Sequence, residues 1–402
     1  MAYTHSLVIL STYFPPNVVG GAEVNAELLA RFAQAHGWSV TVLTGASVVL
    51  HPAPYSIRSV PALRPRPSLI YEPWWNRRTA ARIQALIPYR SIVHTFDVLS
   101  RGVGAELALL RPDLRCVTTL QDISPICGSI DGLLTDGTLC HGDRLQTILR
   151  HRKLQQYGPL GRVVRFIRYA TATVIPYRRQ LLGRYHAVTA VSRFLVNYLG
   201  IQAVSVIPDL LMPPKEACPL KQTTAPALVA VGRLDVDKGT DLLLVALMQL
   251  PAYVLTLVGS GDRADWQQRA TQLGVADRVR FVGPVPSGEV GNWYYAADVV
   301  VLASRCPEAS SRTLLEAMSC GRAVVGPNFA GPAELIIEGS TGRLFERGDA
   351  VSLATTIEQA YKERVSLGRR AKEVSRRYHP DSIAPRYLAL YQSLLEQVSW
   401  DA

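Results

Sequence analysis

Short apolar runs alternate with longer helical patterns along the first half of the chain. The runs "SLVILSTYF", "SVTVLTG", "SIVHTF", "CVTTLQD", "HAVTAVS" and "AVSVIP" are typical of strands buried in a parallel sheet. Helical patterns separate them, the first from about Ala22 to Ala35. Residues 1–208 are therefore predicted to form a doubly wound α/β domain.

A second alternation follows an interruption rich in proline and lysine. The stretch "DLLMPPKEACPLKQTTAP", residues 209–226, has the composition of a linker. Beyond it, "ALVAVGRL", "VLTLVGSG", "RVRFVGPV", "DVVVLAS", "RAVVGPN" and "TGRLFE" predict a second parallel sheet over residues 227–376, and residues 377–402 have an amphipathic helix pattern. We expect the two sheets to face each other across a central cleft, with ligands at the carboxyl ends of the strands.

The composition narrows the class of protein. With 48% hydrophobic and 19% charged residues among 402, the chain is a folded globular protein. Its six cysteines form no Cys-x-x-Cys pair, so neither a zinc knuckle nor a redox pair is indicated. Free thiols are favoured, and a bridge between Cys127 and Cys140 is the alternative. The chain has no signal-peptide pattern and no apolar run of ~18 residues, so a cytoplasmic protein is predicted.

Basic charge is concentrated in the first half of the chain. The net charge is +11, yet residues 144–184 contain ten Lys or Arg and no acid, and residues 58–90 contain seven Arg and one Glu. A helix there would place Val163, Val164, Ile167, Ala170 and Val174 on one stripe beside Arg162, Arg165 and Arg168. This pattern suits a peripheral contact with an anionic membrane at its inner face, or equally a helix that packs its stripe on the domain. No nucleic-acid motif accompanies the charge.

Three groups of residues at predicted strand ends suggest a binding site for an anion. Gly20 and Gly21 follow the first strand and precede a helix, where backbone can approach an anion, although two turn-forming glycines are the alternative. Arg233 and Lys238 lie between a strand and a helix of the second domain, and two cations there suit a diphosphate. A surface turn is the alternative for that pair.

The third group is the stretch "CPEASSRTLLEAMSCG", which begins with one carboxylate and carries another inside a helix. Glu308 precedes the helix and Glu316 lies one turn inside it, where a carboxylate can accept two hydrogen bonds from a ribose. Free backbone N–H groups in the first turn could hold phosphate oxygens, and the residues expected there are Ser310, Ser311, Arg312 and Thr313. The alternatives are an N-cap for Glu308 and an exposed helix residue for Glu316. Glu334 is either a further residue of this cleft or an N-cap.

Taken together, these motifs resemble the retaining glycosyltransferases of family 4, which have the GT-B fold. The similar segments are "GGAE", "GRLDVDKG", "FVGPV…AADVVVLAS", "EAMSCGRAVV", "GPAELI…GSTGRLF" and the two glutamates eight residues apart. The segments "VTTLQDISPIC…LLTDGTLCHG" and "AVTAVSRFLVNYLG…VSVIPD" resemble the N-terminal domain of that family, so the similarity covers essentially the whole chain.

The resemblance implies a UDP- or GDP-sugar donor, a hydroxyl acceptor and no metal. Arg233 and Lys238 would bind the diphosphate, Glu308 would approach the donor sugar, and Glu316 would hold the ribose. The remaining donor-side residues would be the Ser311, Arg312 and Thr313 turn at phosphate, Val285 at the base, and Gly20 and Gly21 at the diphosphate from the other domain. The final helix would cross back to the N-terminal domain.

The chain departs from this family at three places. Gln121 stands where the family often has a histidine, and glutamine orients a hydroxyl but cannot act as a base. Asp122 and His94 are the other catalytic candidates in the first domain. The usual "PNG" is "PDL" at Pro208, and a charged Arg312 stands where the family usually has an apolar residue.

Three hypotheses of function follow. The first is a hexosyltransferase that assembles a polysaccharide or glycolipid on a lipid-linked acceptor at the membrane surface, and its variant is a transferase for a small soluble acceptor. The second is a non-catalytic binding or scaffold subunit, which Gln121 and Arg312 motivate. The third is a sugar epimerase, which the motifs fit poorly.

Overall fold

The chain forms two compact units. The computed structural model describes residues 5–18, 20–47, 53–65, 72–127, 132–141, 150, 158–159, 161–163, 166–167, 177–201, 205–215 and 224–397. Unit 1 comprises residues 1–210 and 380–402, and unit 2 comprises residues 211–379. The chain therefore leaves unit 1 once and returns to it for its last segment.

Unit 1 contains a parallel sheet of seven strands. The strands are β1 (His5–Ser11), β2 (Trp38–Thr44), β3 (Ser56–Ser59), β4 (Ile92–Thr95), β5 (Arg115–Leu120), β6 (Ala187–Ala190) and β7 (Ser205–Val206). They lie in the order β3-β2-β1-β4-β5-β6-β7 and all pair in parallel. The strands β2 and β3 lie on one side of β1, and β4 to β7 lie on the other side. The direction of strand order therefore reverses between β1 and β4, which makes that pair the switch point of the sheet.

Helices cover both faces of this sheet. They are α1 (Gly21–Ala35), α2 (Glu72–Ile83), α3 (Val98–Leu110), α4 (Tyr177–Leu182), α5 (Arg193–Leu199) and, after the chain returns, the last helix (Pro380–Glu396). Alternate residues of β1 enter different cores, Leu7 and Ile9 on one face and Val8 and Leu10 on the other. Burial on both faces explains why the strand sequences are apolar runs rather than alternating ones.

The last helix belongs to the core of unit 1. It begins at Pro380, and residues 376–378 form a separate helical turn at the end of unit 2. The rings of Tyr387 and Tyr391 are fully buried in the same core as Leu7 and Ile9. The helix therefore completes the hydrophobic core of the first domain.

The "PDL" segment closes unit 1 through a buried polar contact. The Asn25 side chain on α1 donates to the Asp209 carboxylate (2.8 Å) and accepts from the backbone N–H of Leu210 (2.7 Å). Asp209 is only 5% exposed. The aspartate that departs from the family pattern thus has a structural partner.

Unit 2 contains a parallel sheet of six strands. The strands are β8 (Ala227–Val231), β9 (Val254–Val258), β10 (Val279–Gly283), β11 (Val299–Val301), β12 (Ala323–Pro327) and β13 (Gly342–Phe345). Their order is β10-β9-β8-β11-β12-β13, so β8 and β11 form the switch point. Val299 and Val301 enter one core, and Val300 enters the other.

Seven helices of unit 2 flank this sheet within the described residues. They are α6 (Thr240–Met248), α7 (Arg263–Gln272), α8 (Val290–Ala296), α9 (Arg312–Ser319), α10 (Ala330–Leu335), α11 (Ala350–Lys362) and α12 (Arg364–Ser375), and the last helix of the chain is hereafter α13. The two parallel sheets confirm the predicted doubly wound α/β class.

Several expectations from the sequence concern other parts of the chain. Cys127 and Cys140 are free buried thiols, so the alternative of a bridge between them was wrong. The basic stripe lies mostly outside the described residues, since of its members only Arg162, Val163 and Ile167 are described. Over the ranges that the structure covers, every helix is too short or too polar to cross a bilayer.

Candidate active site

The predicted donor residues lie at the switch point of unit 2. The loop after β8 carries Arg233 and Lys238, and the segment after β11 carries Glu308 and leads into α9. Because β8 and β11 are adjacent and parallel, both segments leave the same edge of the sheet. A small pocket opens there, and Arg233 and Lys238 are among the residues that line it.

The loop after β8 is built around Asp235. Its carboxylate accepts the backbone N–H of Lys238 (2.7 Å) and forms an ion pair with Arg233 (3.2 Å). Gly239 follows with φ +76°, and a Cβ there would lie 2.0 Å from the carbonyl oxygen of Ala303. A glycine is therefore required where this loop passes β11, and Lys238 is fixed beside the second segment.

Lys238 and Glu308 form an ion pair across the two segments. The ammonium nitrogen lies 2.6 Å from the Glu308 carboxylate, and the two side chains are 30% and 15% exposed. Burial alone would lower the pKa of Lys238, but the charge and hydrogen bond of Glu308 outweigh it and raise that pKa. Lys238 is therefore charged at neutral pH. Glu308 is not the N-cap of α9, so that alternative was wrong.

Gly331 holds the Glu308 segment from the other side. Its N–H donates to the Glu308 carbonyl (2.8 Å), and a Cβ on Gly331 would lie 2.6 Å from the Ala309 carbonyl oxygen. Ala330, just before it, has φ +58°, a left-handed conformation uncommon for a residue with a side chain. The start of α10 thus clamps the backbone of Glu308, which the sequence motif alone did not reveal.

The helix α9 begins at Arg312, two residues after Ser310, the first residue expected in its first turn. Ser311 is its N-cap, with the hydroxyl accepting the Leu314 N–H (3.4 Å), so Ser310 and Ser311 precede the first turn rather than form it. Arg312 and Thr313 are the first helical residues, and their N–H groups have no acceptor within the helix. The Thr313 hydroxyl donates to Val231 at the end of β8 (3.4 Å), which brings this turn against the first loop.

Glu316 is bound by a tyrosine that sequence reasoning missed. The hydroxyl of Tyr294, a fully buried residue of α8, donates to the Glu316 carboxylate at 3.0 Å. Burial raises the pKa of Glu316, while the charge of Arg312 and the bond from Tyr294 act against that rise. Glu316 is therefore not an exposed helix residue, and Arg312 stabilises its charged form. A buried aromatic just before "AADVVV" was the only signal of this contact in the sequence.

Two further predicted residues of unit 2 lie in different surroundings. Val285 follows β10 and packs, partly buried, against the core that includes Tyr294 and Leu314. Glu334 is exposed at the fifth position of α10, whose N-cap is Phe329. The N-cap alternative for Glu334 was therefore wrong.

In unit 1, Gly20 and Gly21 begin α1 as predicted. The N–H of Gly20 donates to the Glu23 carboxylate at 2.8 Å. Gly20 has an extended φ of −158°, and the nearest atom to a Cβ there would be a Glu23 oxygen 4.0 Å away. Neither backbone geometry nor crowding within the described residues requires glycine at position 20.

Gln121 and Asp122 follow β5, while His94 lies inside the core. Asp122 accepts the Ser124 N–H (2.8 Å), and its side chain is 21% exposed. His94 is fully buried between Tyr391 and Thr119, and burial lowers its pKa to about 3. A neutral, inaccessible imidazole cannot contact a substrate, so His94 is a structural residue.

The described residues include no cluster of three His, Cys, Asp or Glu side chains close enough to hold a metal ion. Arg233 and Lys238 carry positive charge at the switch point of unit 2.

The two units define the GT-B class of fold, and solved structures of that shape cover almost the whole chain. Sucrose-phosphate synthase from Thermosynechococcus elongatus has a TM-score of 0.75 at 20% identity, over 98% of this chain and 100% of that one. Anabaena Alr3699/HepE in complex with UDP-glucose has a TM-score of 0.68 at 18% identity, over 96% and 99%. At these identities the similarity shows the fold alone.

The chain belongs to the family 4 glycosyltransferases. The family model described as "Glycosyltransferase Family 4" matches residues 19–208, and the one described as "Glycosyl transferases group 1" matches residues 225–363. The two matches confirm the resemblance inferred from the motifs.

Curated relatives are similar over part of the chain. The lipopolysaccharide core biosynthesis glycosyltransferase LpsE of Rhizobium meliloti (strain 1021) is 32% identical over 174 residues, 42% of this chain and 50% of that protein. The Vi polysaccharide biosynthesis protein VipC/TviE of Salmonella typhi is 34% identical over 177 residues, 42% of this chain and 30% of that protein. The chain spans half or less of the length of these relatives.

Proposed function

We propose that this glycosyltransferase moves a hexose from a UDP- or GDP-sugar to a hydroxyl acceptor, with retention of configuration. The observation that carries the proposal is the convergence of Arg233, Lys238, Glu308 and α9 on the switch point of unit 2. A scaffold subunit has no need of two cations and two glutamates held by dedicated contacts. UDP-glucose in the similar HepE structure supports a nucleotide-sugar donor.

Each donor-side residue has a distinct proposed task. Arg233 and Lys238 neutralise the diphosphate as it leaves, and the N–H groups that begin α9 donate hydrogen bonds to a phosphate oxygen. Glu316, oriented by Tyr294, accepts the ribose hydroxyls. Val285 lies by the base, and Gly20 and Gly21 approach the diphosphate. Because these groups supply the positive charge, the proposed reaction uses no metal.

Donor binding is proposed to break the ion pair between Lys238 and Glu308. The diphosphate competes with Glu308 for the ammonium group, which lies 2.6 Å from that carboxylate. The released carboxylate can then accept hydrogen bonds from the donor sugar. The acceptor proton passes to the leaving phosphate, while Gln121 and Asp122 orient the acceptor hydroxyl in unit 1.

A panel of UDP- and GDP-sugars tests this function by thermal shift and by nucleotide release. A ligand that binds only the folded protein raises its melting temperature. We expect one donor to stabilise the protein and to be turned over when acceptor is supplied. The absence of a shift with every nucleotide sugar would contradict the proposal and favour the scaffold hypothesis.

Glu308→Gln separates the role of Glu308 in transfer from a role in folding. The variant keeps the size of the side chain and loses its charge, so we expect transfer to fall by 100-fold or more, on the order of 3 kcal/mol, while the donor still raises the melting temperature. Glu346→Gln, an exposed change in the same unit, is the control. Loss of donor binding together with transfer would show that Glu308 acts only through Lys238.

For the acceptor, we propose a lipid-linked hydroxyl at an anionic membrane, with a soluble small molecule as the second candidate. The described part of unit 1 has a basic, aromatic surface on α2 and the turn after it, hereafter the α2 surface. Its apolar members are Trp74, Leu86 and Tyr89, which are 51%, 38% and 67% exposed. Its exposed cations are Arg77, Arg78, Arg82 and Arg90, and the only acid of α2, Glu72, is buried against Arg178.

The α2 surface has the composition of a membrane interface. Arg78 stacks on Trp74 and Arg90 on Tyr89, so each ring stands beside a cation. Aromatic rings at headgroup level combined with arginines favour anionic lipids. The names of the lipopolysaccharide and Vi polysaccharide relatives support a role in assembly of a polysaccharide or glycolipid.

Vesicle flotation tests the membrane proposal. We expect the protein to float with vesicles that contain phosphatidylglycerol, and to be released as salt is raised, because exposed charges are screened. Changing Arg77, Arg78 and Arg82 to Gln should abolish flotation, whereas the same change at Arg369, Arg376 and Arg377, exposed arginines of unit 2, should not. Equal loss in both triple variants would indicate a general charge effect and would favour the soluble acceptor.

A further inference from the structure

Arg101 is a buried arginine in which two of the three side-chain nitrogens form no hydrogen bond within the described residues. It lies on α3 of unit 1 and is 3% exposed. Its Nη1 donates to the Ser124 hydroxyl at 2.9 Å, while Nε and Nη2 are buried and have no hydrogen-bond partner in the described structure. Buried N–H groups are nearly always paired, so this pair of open donors calls for an explanation.

The open side of Arg101 is the side with which arginines bind carboxylates. Arg178 uses Nε (3.1 Å) and Nη2 (3.0 Å) to hold the two oxygens of Glu72. Arg111 uses the same two nitrogens, each at 2.6 Å, on Asp113. In Arg101 this two-pronged edge is open, and the bond to Ser124 fixes the guanidinium from the remaining nitrogen. The edge matches a planar or tetrahedral oxyanion.

The described segment after β5 contains one acid, Asp122, and a second side-chain donor without an acceptor. Asp122 is the nearest acid, 4.0 Å from Nη1, on the side that Ser124 already occupies. Its carboxylate also accepts the Ser124 N–H. The amide nitrogen of Gln121, the preceding residue, is buried and likewise without a partner in the part of the chain described. The local excess of donors selects a ligand rich in acceptor oxygens.

The cluster lies where open α/β sheets bind ligands. Arg101 is on the helix that follows β4, and Gln121, Asp122 and Ser124 follow β5. The two strands are adjacent and parallel, with Thr95 opposite Thr118, so both segments leave the carboxyl edge of the sheet. Asp122 is 21% exposed, and we expect a ligand to enter on that side.

We propose that Arg101 binds an oxyanion, a carboxylate or a phosphate, carried by the acceptor. The inference rests on the proposed transfer function and specifies its acceptor class. Arg101 fixes the charged group with Nε and Nη2, and Gln121 donates to a neighbouring oxygen. The negative charge of the acceptor thereby distinguishes it from neutral sugars. Its hydroxyl is placed beside Asp122.

Thermal shift with three probes at constant ionic strength tests this site: glucuronate, glucose 6-phosphate and glucose. We expect one of the two anions to stabilise the wild-type protein more than glucose, and the identity of that anion distinguishes carboxylate from phosphate. Arg101→Met should weaken that binding roughly 10- to 100-fold, and Arg101→Lys should weaken it too, because a lysine cannot form the two-pronged contact. Arg115→Met is the control, since Arg115 donates to the backbone carbonyls of Pro112 and Leu114. Equal shifts with glucose and both anions, or an unchanged anion shift in Arg101→Met, would overturn the proposal.

Stability without ligand gives an independent test. Arg101→Met removes a buried charge that lacks a close partner, so we expect an unchanged or higher melting temperature. Arg178→Met leaves Glu72 buried and unpaired, so this change should lower the melting temperature. If Arg101→Met lowers the melting temperature as much as Arg178→Met does, Arg101 is a structural residue and the inference is overturned.

Donor binding separates this inference from the proposed function. The residues that bind the nucleotide sugar are proposed in unit 2, so Arg101→Met should keep the shift with the nucleotide sugar. If the wild-type protein binds donor and no anion, the oxyanion site is wrong and the donor function stands. If it binds an anion through Arg101 and no nucleotide sugar, the transfer function fails instead.

Discussion

Glu316 is a buried carboxylate that lowers stability and for which we propose a role in donor binding. Its carboxylate is surrounded by α8 and α9, accepts one hydrogen bond from Tyr294, and has a pKa raised by burial. A raised pKa means that the folded protein holds the proton of this group more tightly than the unfolded chain does. The charged form at neutral pH is therefore unfavourable to folding, which is expected of a group kept for a ligand.

Glu316→Gln is expected to stabilise unit 2 and to weaken donor binding. Glutamine still accepts the bond from Tyr294 through its oxygen and removes the buried charge, so the free energy of unfolding should rise by up to about 1 kcal/mol. The lost acceptor for the ribose should weaken UDP binding roughly 10-fold or more. Calorimetry measures both effects.

A suitable control for Glu316 is Glu373→Gln on α12, where the carboxylate is exposed and paired with Arg370. This change should alter neither the free energy of unfolding nor UDP binding, since exposed ion pairs contribute little to stability. A loss of stability in Glu316→Gln without a change in UDP binding would show that the carboxylate stabilises the folded protein and does not bind the nucleotide.

At the scale of elements, the site is assembled by loops that approach one another closely. Gly239 passes β11 and fixes Lys238, and Gly331 at the start of α10 donates to the backbone of Glu308. Both contacts require the absence of a side chain. The ion pair between Lys238 and Glu308 depends on these two backbone approaches.

Gly331→Ala is therefore expected to reduce both the transfer rate and the stability of unit 2. A Cβ would lie 2.6 Å from Ala309 O and 2.8 Å from Glu308 O, so the Glu308 segment has to shift. Overpacking of this kind destabilises by about 1–3 kcal/mol, and a displaced Glu308 should lower the transfer rate by at least 10-fold, about 1.4 kcal/mol. Rate assays measure the loss of transfer, and thermal melts measure the loss of stability.

The matched control for Gly331 is Gly288→Ala, where a Cβ would meet no described atom within 4 Å. It should leave the transfer rate and the melting temperature almost unchanged. Retained activity in Gly331→Ala would mean that the backbone clamp does not position Glu308.

The sequence predicted the elements better than the contacts between them. Apolar runs identified the strands because both faces of a parallel sheet are buried, and strand ends identified the loops of Lys238 and Glu308. The bond from Tyr294 to Glu316 and the clamp of Gly331 join residues 22 and 23 positions apart in sequence, and they depend on how α8, α9 and α10 pack. The start of α9 was misplaced because Ser310 and Ser311 are both good N-caps, and packing selects Ser311.

On the scale of the whole molecule, each unit has its own cores and its own response to acid. In unit 1, the last helix brings Tyr391 to His94, whose pKa falls to about 3 on burial. Between that value and about 6.5, the unfolded chain binds a proton that the folded unit does not, so acid destabilises unit 1. In unit 2, the raised pKa of Glu316 acts in the opposite direction, and stability increases as the pH falls through it.

Acidification is therefore expected to separate the melting transitions of the two units. Below pH 6.5, His94 should reduce the stability of unit 1 by up to about 1.4 kcal/mol per pH unit. Calorimetry at pH 7, 6 and 5 should show one transition that falls steeply, and His94→Gln should flatten it, since glutamine can bond to Tyr391 and Thr119 without titrating. His186, which also has a lowered pKa, remains in that variant and accounts for any residual slope. If both transitions shift in parallel, or if His94→Gln leaves the slope unchanged, the proton uptake lies elsewhere in the molecule.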